Sequence, residues 1–329
     1  MGRVEPRRRP LGQHIEVFDV AQPAHRADAL AARVVDADLG ADGRLTVREA
    51  PQPGQWIRRA GLDFAEGQAL LKAGRRLSPS DVALAAAMNV PWLAVRRKPR
   101  IAVLATGDEL VRPGEPIGPN QIVSSNNIGL AALIEAEGGQ AVDLGIARDT
   151  EADLRLKASA AMGCDLLLTL GGASVGEHDL IHKILGGGGA GIDFWRIAMR
   201  PGKPLMFGRA TLDSGLSLPL LGLPGNPVSA LVCGYNFLVP ALHAMQGLPA
   251  EVSLETAITG SDLAENDKRE DYLRATLHRN EDGRLIATAF SKQDSSMLRL
   301  LSEAACLIVR PPLAPALKAG AKVPIFRLR

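Results

Sequence analysis

The chain has 329 residues, 46% of them hydrophobic, and its 38 basic and 36 acidic residues give a net charge of +2. This length predicts two or three domains with a sizeable core. A charge so close to zero gives no reason to expect nucleic acid or another polyanion as a partner. Three cysteines, Cys164, Cys233 and Cys306, form no CxxC pair and no even disulfide set. We therefore expect buried thiols, a reducing compartment and a cytoplasmic location.

The N-terminal part of the sequence has the least regular pattern. We expect residues 1–50 to be the remnant of a β-rich domain, partly disordered, with Asp42-Gly43 as a hairpin turn between short β-like runs. No apolar stretch follows the basic cluster at residues 7–9, so a solvated tail is favoured over a secretion signal or a nucleic-acid contact. Residues 51–99 should form a partial α+β domain and linker, with a helix over 81–88.

Strands and helices alternate over residues 100–248, which is typical of an α/β domain with a mainly parallel sheet. The predicted strands cover 101–105, 141–146, 166–170, 194–199, 205–208 and 218–223. The predicted helices cover 124–137, where residues 124–127 can cap the helix, and also 151–161 and 228–245. Prolines interrupt the uncharged span 214–250, so we expect a buried strand and a core helix there and no membrane segment.

The pattern changes again after Pro249, where short β-like runs predict a separate small β domain over 249–329. These runs cover 253–258, 272–278, 285–289, 306–309 and 323–328. Asp282-Gly283 is a hairpin signal between two of them. The expected fold is therefore a central α/β domain, flanked by a partial N-terminal α+β region and a C-terminal small β domain.

Glycine-containing turns follow three of the predicted strands. They are Thr106-Gly107-Asp108-Glu109, the turn with Gly171, Gly172, Ser174 and Gly176, and Pro224-Gly225-Asn226-Pro227. The carboxyl ends of parallel strands share one edge where ligands bind, so we expect these turns to line a single crevice. Glycines let backbone N–H groups approach a phosphate, and a following helix N-terminus favours an anion. The alternative is that the glycines only make tight turns.

Charged side chains near these turns suggest what the crevice could bind. Lys203, between a glycine and a proline, could place a positive charge on a phosphate. Glu109, Asp149 and Asp179 each follow a predicted strand, and three oxygen donors beside phosphate-binding glycines suit Mg²⁺. The alternative for these carboxylates is N-capping and surface charge.

Two further patterns suggest other chemistry but fit it poorly. His178 and His182 have a spacing that can bind zinc on a helix, but there is no HExxH motif, so a helix-surface role is favoured. Ser174 has no identifiable base and does not fit the GxSxG turn of a serine hydrolase, so acyl transfer is not favoured.

The ordered motifs of residues 100–248 resemble the molybdopterin-binding domain of the molybdopterin molybdenumtransferases, the molybdenum insertase family that includes the gephyrin E domain. The motifs are Thr106-Gly-Asp-Glu-Leu110, Leu170-Gly-Gly-Ala-Ser-Val-Gly176 with Asp179, Met199-Arg-Pro-Gly-Lys-Pro204 and Gly222-Leu-Pro-Gly-Asn-Pro-Val-Ser229. Arg58-Arg-Ala-Gly-Leu-Asp63 and the segment after Pro249 are also similar to the family. The resemblance covers the chain from about residue 45 to its end.

The resemblance implies molybdenum cofactor biosynthesis. Members bind adenylylated molybdopterin and molybdate as substrates, hydrolyse the pyrophosphate-like link with Mg²⁺, release AMP and insert molybdenum into the dithiolene. The implied catalytic residues are Glu109, Asp149, Asp179 and Lys203, and the three carboxylates are also the implied metal ligands. The implied cofactor-binding and molybdate-pocket residues are Thr106, Gly107, Asp108, Ser125, Asn126, Gly171, Gly172, Ser174, Gly176, Arg200, Pro201, Gly202, Pro204, Pro224, Gly225, Asn226, Pro227, Ser229, Arg269 and Ser295.

The resemblance also implies a homodimer, with a molybdopterin adenylyltransferase or molybdoenzymes as candidate partners and with neither nucleic acid nor membrane. The sequence departs from the family pattern in two places. There is no SAMDGYA-like motif, so we expect the usual N-terminal segment to be missing. Arg196 and Arg200 stand where lysines are common, which keeps the charge but changes its geometry.

Two alternatives to an active transferase therefore stay open. One is a non-catalytic molybdopterin-binding or assembly paralogue, which the missing segment suggests. The other is a molybdopterin adenylyltransferase, against which the C-terminal β domain argues.

Overall fold

The computed structural model of the protein describes residues 37–39, 41–43, 45–47, 60–171, 181, 184–185 and 191–328. The chain forms two compact units, Met1–Lys72 and Ala73–Arg329. In the first unit, strands β1 (Ala37–Leu39) and β2 (Leu45–Val47) pair antiparallel. Gly43 lies in the turn between them with φ +77°, a conformation that favours glycine. The predicted hairpin is confirmed.

Near the start of the second unit is helix α1 (Pro79–Ala87), which the sequence predicted. The Ser78 hydroxyl caps it by accepting from the Asp81 amide at 3.2 Å, and the Asp81 carboxylate accepts from the Ser78 amide at 2.8 Å. Arg75 donates two further hydrogen bonds to this carboxylate. The hydrogen bonds from Ser78, and then the charge of Arg75, lower the pKa of Asp81.

A six-stranded sheet forms the centre of this unit. In spatial order its strands are β6 (Gln140–Ala147), β3 (Arg100–Thr106), β7 (Leu166–Leu170), β11 (Ser217–Leu223), β10 (Met206–Thr211) and β8 (Ile192–Trp195). The first four strands are parallel to one another, and the last two pair antiparallel. The prediction of a mainly parallel α/β sheet is confirmed.

Helices pack on both faces of this sheet. They are α2 (Asn126–Ala136), α3 (Glu151–Ser159), α4 (Pro227–Cys233) and α5 (Val239–Gln246), with a π-helical turn at Gly234–Leu238 between the last two. Val103 and Leu168 belong to the apolar core shared with α2, α4 and α5, whereas Leu104 and Leu167 belong to the core shared with α3. Side chains that alternate along a strand point to opposite faces, so both faces are covered.

The continuous helical run Pro227–Gln246 is long and apolar enough to cross a membrane by length and composition alone. Val228, Leu238 and Leu242 are at most 1% exposed and pack in the core beneath the sheet. The core helix of a protein passes the same test, and this run packs against the core through these residues, as the sequence predicted.

The predicted strand over residues 194–199 is wrong as a single element. Its two ends belong to different strands, β8 and β9 (Met199–Arg200), and β9 joins the C-terminal sheet. The break falls at Arg196, whose φ of +72° takes the chain out of the extended conformation. Apolar residues stand on both sides of this bend, so the hydrophobic pattern did not reveal it.

The C-terminal strands close into a small barrel. They are β12 (Glu255–Thr259), β13 (Glu270–Arg279), β14 (Leu285–Ala289), β15 (Cys306–Arg310) and β16 (Lys322–Arg327). The order is β14, β12, β16, β15 and β13, and β13 pairs back with β14 to close the ring. Strand β9 lies beside β13. All five predicted strands are confirmed, and the short helix α6 (Leu298–Glu303) was not predicted.

The three cysteines are free thiols. Cys233 and Cys306 are buried, and Cys164 is partly exposed. Burial raises the pKa of Cys233 to about 12 and that of Cys306 to about 11. The prediction of buried thiols is thus confirmed for two of the three.

Candidate functional site

A cleft of about 830 Å³ lies where β3, β6, β7 and β11 end. The turns after these strands line it, together with the short parallel ribbon of β4 (Leu110–Val111) and β5 (Ile122–Val123) and the starts of α2 and α4. Parallel strands bring their carboxyl ends to one edge, so turns far apart in sequence meet here. The predicted site residues in the lining are Thr106, Gly107, Glu109, Ser125, Asn126, Asp149, Gly171, Pro204, Pro224, Gly225, Asn226, Pro227 and Ser229.

Two glycine turns approach each other closely within the cleft. Gly171 has φ +84°, and a Cβ placed on it would lie 2.8 Å from the Thr106 carbonyl oxygen. A Cβ placed on Gly225 would lie 3.7 Å from the Gly171 Cα. The Gly171 amide donates to the Leu223 carbonyl at 3.3 Å and so ties the turn after β7 to the end of β11. Both the backbone conformation and the close approach require glycine at position 171.

The carboxylates of the cleft lie on the turns after β3 and β6. Glu109 folds back over Gly107, whose φ is +144°, so that a Cβ at Gly107 would lie 2.5 Å from a carboxylate oxygen of Glu109. The Asp149 amide donates to the Asp108 carboxylate at 3.3 Å. Asp108 therefore connects the two turns through a hydrogen bond, while Glu109 and Asp149 line the cleft.

The turn over residues 224–227 is held from two sides. Asn126, at the start of α2, donates from its side-chain amide to the Gly225 carbonyl at 2.6 Å. On the other side, the Asn226 side-chain amide donates to the Ser295 hydroxyl at 3.0 Å. The Val228 amide also donates to the Ser295 carbonyl, at 3.1 Å. Ser295 follows β14, so a loop of the barrel helps to place the turn.

The guanidinium of Arg200 contacts residues of the C-terminal region. It donates to both carboxylate oxygens of the buried Asp271, to Asp267 at 3.1 Å and to Asn266 at 3.2 Å. Arg269 donates to the same Asp267 carboxylate at 2.8 Å. The two arginines that the sequence singled out for ligand binding therefore share one acidic partner.

Lys203 is exposed, and in the part of the chain that the structure describes its ammonium has no ion-pair partner. Pro204, directly after it, lines the cleft. Gly202, between Pro201 and Lys203, has φ +127°, and a Cβ there would lie 2.5 Å from the sulfur of Cys233. This packing fixes the backbone next to Lys203 against helix α4.

The oxygen donors of the cleft suit a hard cation. Glu109 and Asp149 offer carboxylates, and protein-bound Mg²⁺ commonly uses one or two carboxylates together with phosphate oxygens and water. Within the described ranges, no three His, Cys, Asp or Glu side chains come together. A Mg²⁺ ion at these two carboxylates would therefore take its remaining ligands from water or from a bound phosphate.

Some predicted site residues lie outside the described residues: Gly172, Ser174, Gly176 and Asp179, and also His178 and His182. Conversely, the sequence reasoning did not include Ile122 and Val123, which line the cleft although they are 59% and 39% exposed. Two apolar residues on a short ribbon give no periodic signal by which to find them.

Three family models match the chain in order. The model of the MoeA N-terminal region (domain I and II) matches residues 21–89. The model described as a probable molybdopterin binding domain matches residues 102–244, and the MoeA C-terminal region (domain IV) matches residues 256–328.

The chain is also similar to curated proteins. The molybdopterin molybdenumtransferase of Haemophilus influenzae is 35% identical over 293 residues, which are 87% of this chain and 70% of that protein. Molybdopterin molybdenumtransferase 2 of Mycobacterium tuberculosis is 33% identical over 302 residues, which are 89% of this chain and 72% of that protein.

The fold has a close counterpart among solved structures. The crystal structure of the molybdopterin biosynthesis MoeA protein of Pyrococcus horikosii aligns with a TM-score of 0.70 and 26% identity, and covers 90% of this chain and 71% of that one. On this likeness in fold, and on an identity of 35% over most of its length, the chain belongs to the molybdopterin molybdenumtransferase family of molybdenum cofactor biosynthesis.

Proposed function

We propose that the cleft binds adenylylated molybdopterin and molybdate, and that the chain hydrolyses the pyrophosphate-like link to release AMP while molybdenum enters the dithiolene. The observation that supports this proposal is the meeting of three glycine turns with two carboxylates at the ends of four parallel strands. Glycine turns let a phosphate approach the backbone without a Cβ in the way, and the carboxylates supply the hard oxygen donors that such a hydrolysis needs.

Each turn has a role in the proposal. The turns at Gly107, Gly171 and Gly225 hold the phosphates and the pterin. Lys203, exposed beside the cleft, stabilises the negative charge of a phosphate or of molybdate. Arg269 contacts the oxyanion only after its bonds to Asp267 rearrange. Arg200 contacts it only after its bonds to Asp271, Asp267 and Asn266 rearrange, because these residues occupy its guanidinium.

Mg²⁺ would be held by Glu109 and Asp149, with Asp179 as the predicted third ligand. When bound, the ion would neutralise negative charge on the phosphate oxygens next to the bond that is cleaved. The protein's own part is to hold these carboxylates at the carboxyl-end edge of the parallel sheet, next to glycines that leave room for the phosphates.

The decisive test of the proposal is turnover by the purified chain. Incubation with adenylylated molybdopterin, Mg²⁺ and molybdate should release AMP, and omission of either ion should reduce the release. The matched control is Glu251→Gln, an exposed carboxylate outside the cleft, which should leave turnover unchanged. Binding of adenylylated molybdopterin without any AMP release would reject the enzymatic proposal and favour a binding or assembly module.

We further propose that the chain works as a cytoplasmic homodimer. Its substrate must come from an adenylyl transfer onto molybdopterin, so a molybdopterin adenylyltransferase is a candidate partner, and molybdoenzymes are candidate receivers of the product. Light scattering of the purified chain across a concentration series tests the dimer, and a monomer mass at all concentrations would reject it.

A further inference from the structure

Among the side chains that the structure describes as almost fully buried, Arg274 is the largest, and it is only 1% exposed. It lies on β13, and its guanidinium points at the loop between β14 and α6. It donates to the backbone carbonyls of Met297 at 3.0 Å, Asp294 at 3.0 Å and Lys292 at 3.5 Å. A buried charge is retained at such a site only when its donors are satisfied, and these carbonyls satisfy it.

Gln293 fastens the same loop to the same residue. Its side-chain oxygen accepts from both the backbone amide and the Nε of Arg274, at 3.0 and 3.2 Å. Its side-chain amide donates to the carbonyls of Arg274 and Phe290, at 3.0 and 2.9 Å. The conformation of residues 292–297 is therefore set around one guanidinium.

The opposite side of this loop contacts the turn that lines the cleft. Ser295 lies between Asp294 and Ser296, and its hydroxyl accepts from the Asn226 side chain at 3.0 Å. Its carbonyl accepts from the Val228 amide at 3.1 Å, in the first turn of α4. Arg274 thus holds Asp294, the backbone connects Asp294 to Ser295, and Ser295 accepts from Asn226, which lines the cleft.

We propose that Arg274 is a positioning residue of the cleft: through the loop over residues 292–297 it fixes Ser295, and Ser295 fixes Asn226 and the first turn of α4. Arg274 itself does not line the cleft. The proposal goes beyond the proposed function, and only its kinetic test rests on that function.

Lysine cannot replace arginine in this role. The planar guanidinium presents five donors in a fixed fork, and here it bonds carbonyls that lie in different directions. Lysine offers one compact ammonium with three donors, so an Arg274→Lys variant leaves buried carbonyls of the loop unsatisfied. The loop should then loosen where it holds Asn226, while the positive charge is kept.

The first test is hydrogen exchange of the full chain. Arg274→Lys should accelerate exchange of the Val228 amide about tenfold, since one supporting hydrogen bond is weakened. The matched control is Arg299→Lys, the same substitution on α6 at a guanidinium that is 78% exposed and paired with Glu303. This control should leave the Val228 amide unchanged.

Exchange of the β15 and β16 amides separates positioning from general stability. In the Arg274→Lys variant, these amides should exchange at the same rate as in the wild type. Equal acceleration throughout the barrel would overturn the proposal, because Arg274 would then only stabilise its own domain. Unchanged exchange at Val228 would also overturn it.

The second test is kinetic and uses AMP release. Arg274→Lys and Ser295→Ala should each raise KM for adenylylated molybdopterin severalfold with little change in kcat, and the double variant should resemble the stronger single variant. Additive effects on KM would contradict a shared route. If the wild type releases no AMP, the proposed function fails, and hydrogen exchange still decides the role of Arg274.

Discussion

The side-chain amide of Asn126 donates a hydrogen bond of 2.6 Å to the backbone carbonyl of Gly225, although 99 positions separate the two residues. Asn126 begins the helix that follows the turn after β3, and Gly225 belongs to the turn after β11. This bond joins two of the turns that line the cleft.

Replacement of Asn126 should therefore weaken ligand binding. Asn126→Ala removes the donor to Gly225, and a lost hydrogen bond of this kind costs about 0.5–1.5 kcal/mol. We expect adenylylated molybdopterin to bind about 2- to 10-fold more weakly, as measured by titration calorimetry. The matched control is Asn236→Ala, which removes a side-chain amide donor to the Val232 carbonyl within the long helix. If both variants lower affinity equally, the Asn126 bond has no specific role in the cleft.

Replacement of Gly171 by alanine should lower the unfolding free energy more than the same replacement at another glycine with a left-handed backbone conformation. Gly171 and Gly215 have φ of +84° and +80°, but a Cβ at Gly215 meets nothing within 4 Å, whereas one at Gly171 lies 2.8 Å from the Thr106 carbonyl oxygen. Gly215→Ala should cost about 1–2 kcal/mol of unfolding free energy from backbone strain alone. Gly171→Ala should cost at least about 1 kcal/mol more because of the steric clash.

Urea unfolding of the two glycine variants measures this difference. Their transitions should have the same slope and different midpoints, since the same surface is exposed on unfolding. Equal midpoints would show that the turn after β7 moves away from Thr106 without cost, and that glycine is not needed there for packing.

Loss of a cleft carboxylate should alter the dependence on Mg²⁺. Glu109→Gln and Asp149→Asn keep the shape of each side chain but remove a charged oxygen donor. We expect the concentration of Mg²⁺ at half-maximal AMP release to rise at least about tenfold in each variant. Glu251→Gln should titrate as the wild type does. An unchanged Mg²⁺ titration in both cleft variants would exclude these carboxylates as ligands.

Asp267 should make stability depend on pH in a defined acidic range. The hydrogen bonds from Arg269, and then the charge of Arg200, lower the pKa of Asp267 from 3.8 to about 2 in the folded chain. A carboxyl group with a lower pKa in the folded than in the unfolded state stabilises the fold above its unfolded pKa. That contribution is lost as the pH falls from 3.8 towards about 2.

Comparison of Asp267→Asn with the wild type isolates this effect. The variant should be less stable at neutral pH, and the difference between the two midpoints of urea unfolding should shrink as the pH falls through the acidic range. Asp193→Asn, at an exposed strand position, serves as the control and should follow the wild type. A difference that stays constant down to pH 2 would contradict the ion pairs described for Asp267.

The hydrophobic pattern found the strands because it depends only on local periodicity. The buried runs of β3, β7 and β11 are almost continuously apolar, as expected for strands covered on both faces. The pattern missed the bend at Arg196, because a positive φ in a residue flanked by apolar side chains leaves no periodic trace. It missed α6 for a related reason, since six residues are too few to show a helical period.

The cleft was predictable in part. Glycine and asparagine after a strand are a local signal, and Gly107, Gly171 and Asn226, which carry that signal, line one cleft. The contacts of charged residues were not predictable in this way. In the sequence Arg200 and Arg269 show no sign of a common partner, and only the structure joins both to Asp267.

By itself the sequence determined most of the strands in their order along the chain, the turns at their ends and the family, because each of these depends on residues that are neighbours along the chain. Only the tertiary structure decided which side chains meet: Arg200 with Asp271, Asn126 with Gly225, and Arg274 with the loop that holds Ser295. The physical reason is that hydrogen bonds and ion pairs act over a few ångströms in space, and the distance between two side chains is fixed by the packing of the elements that carry them.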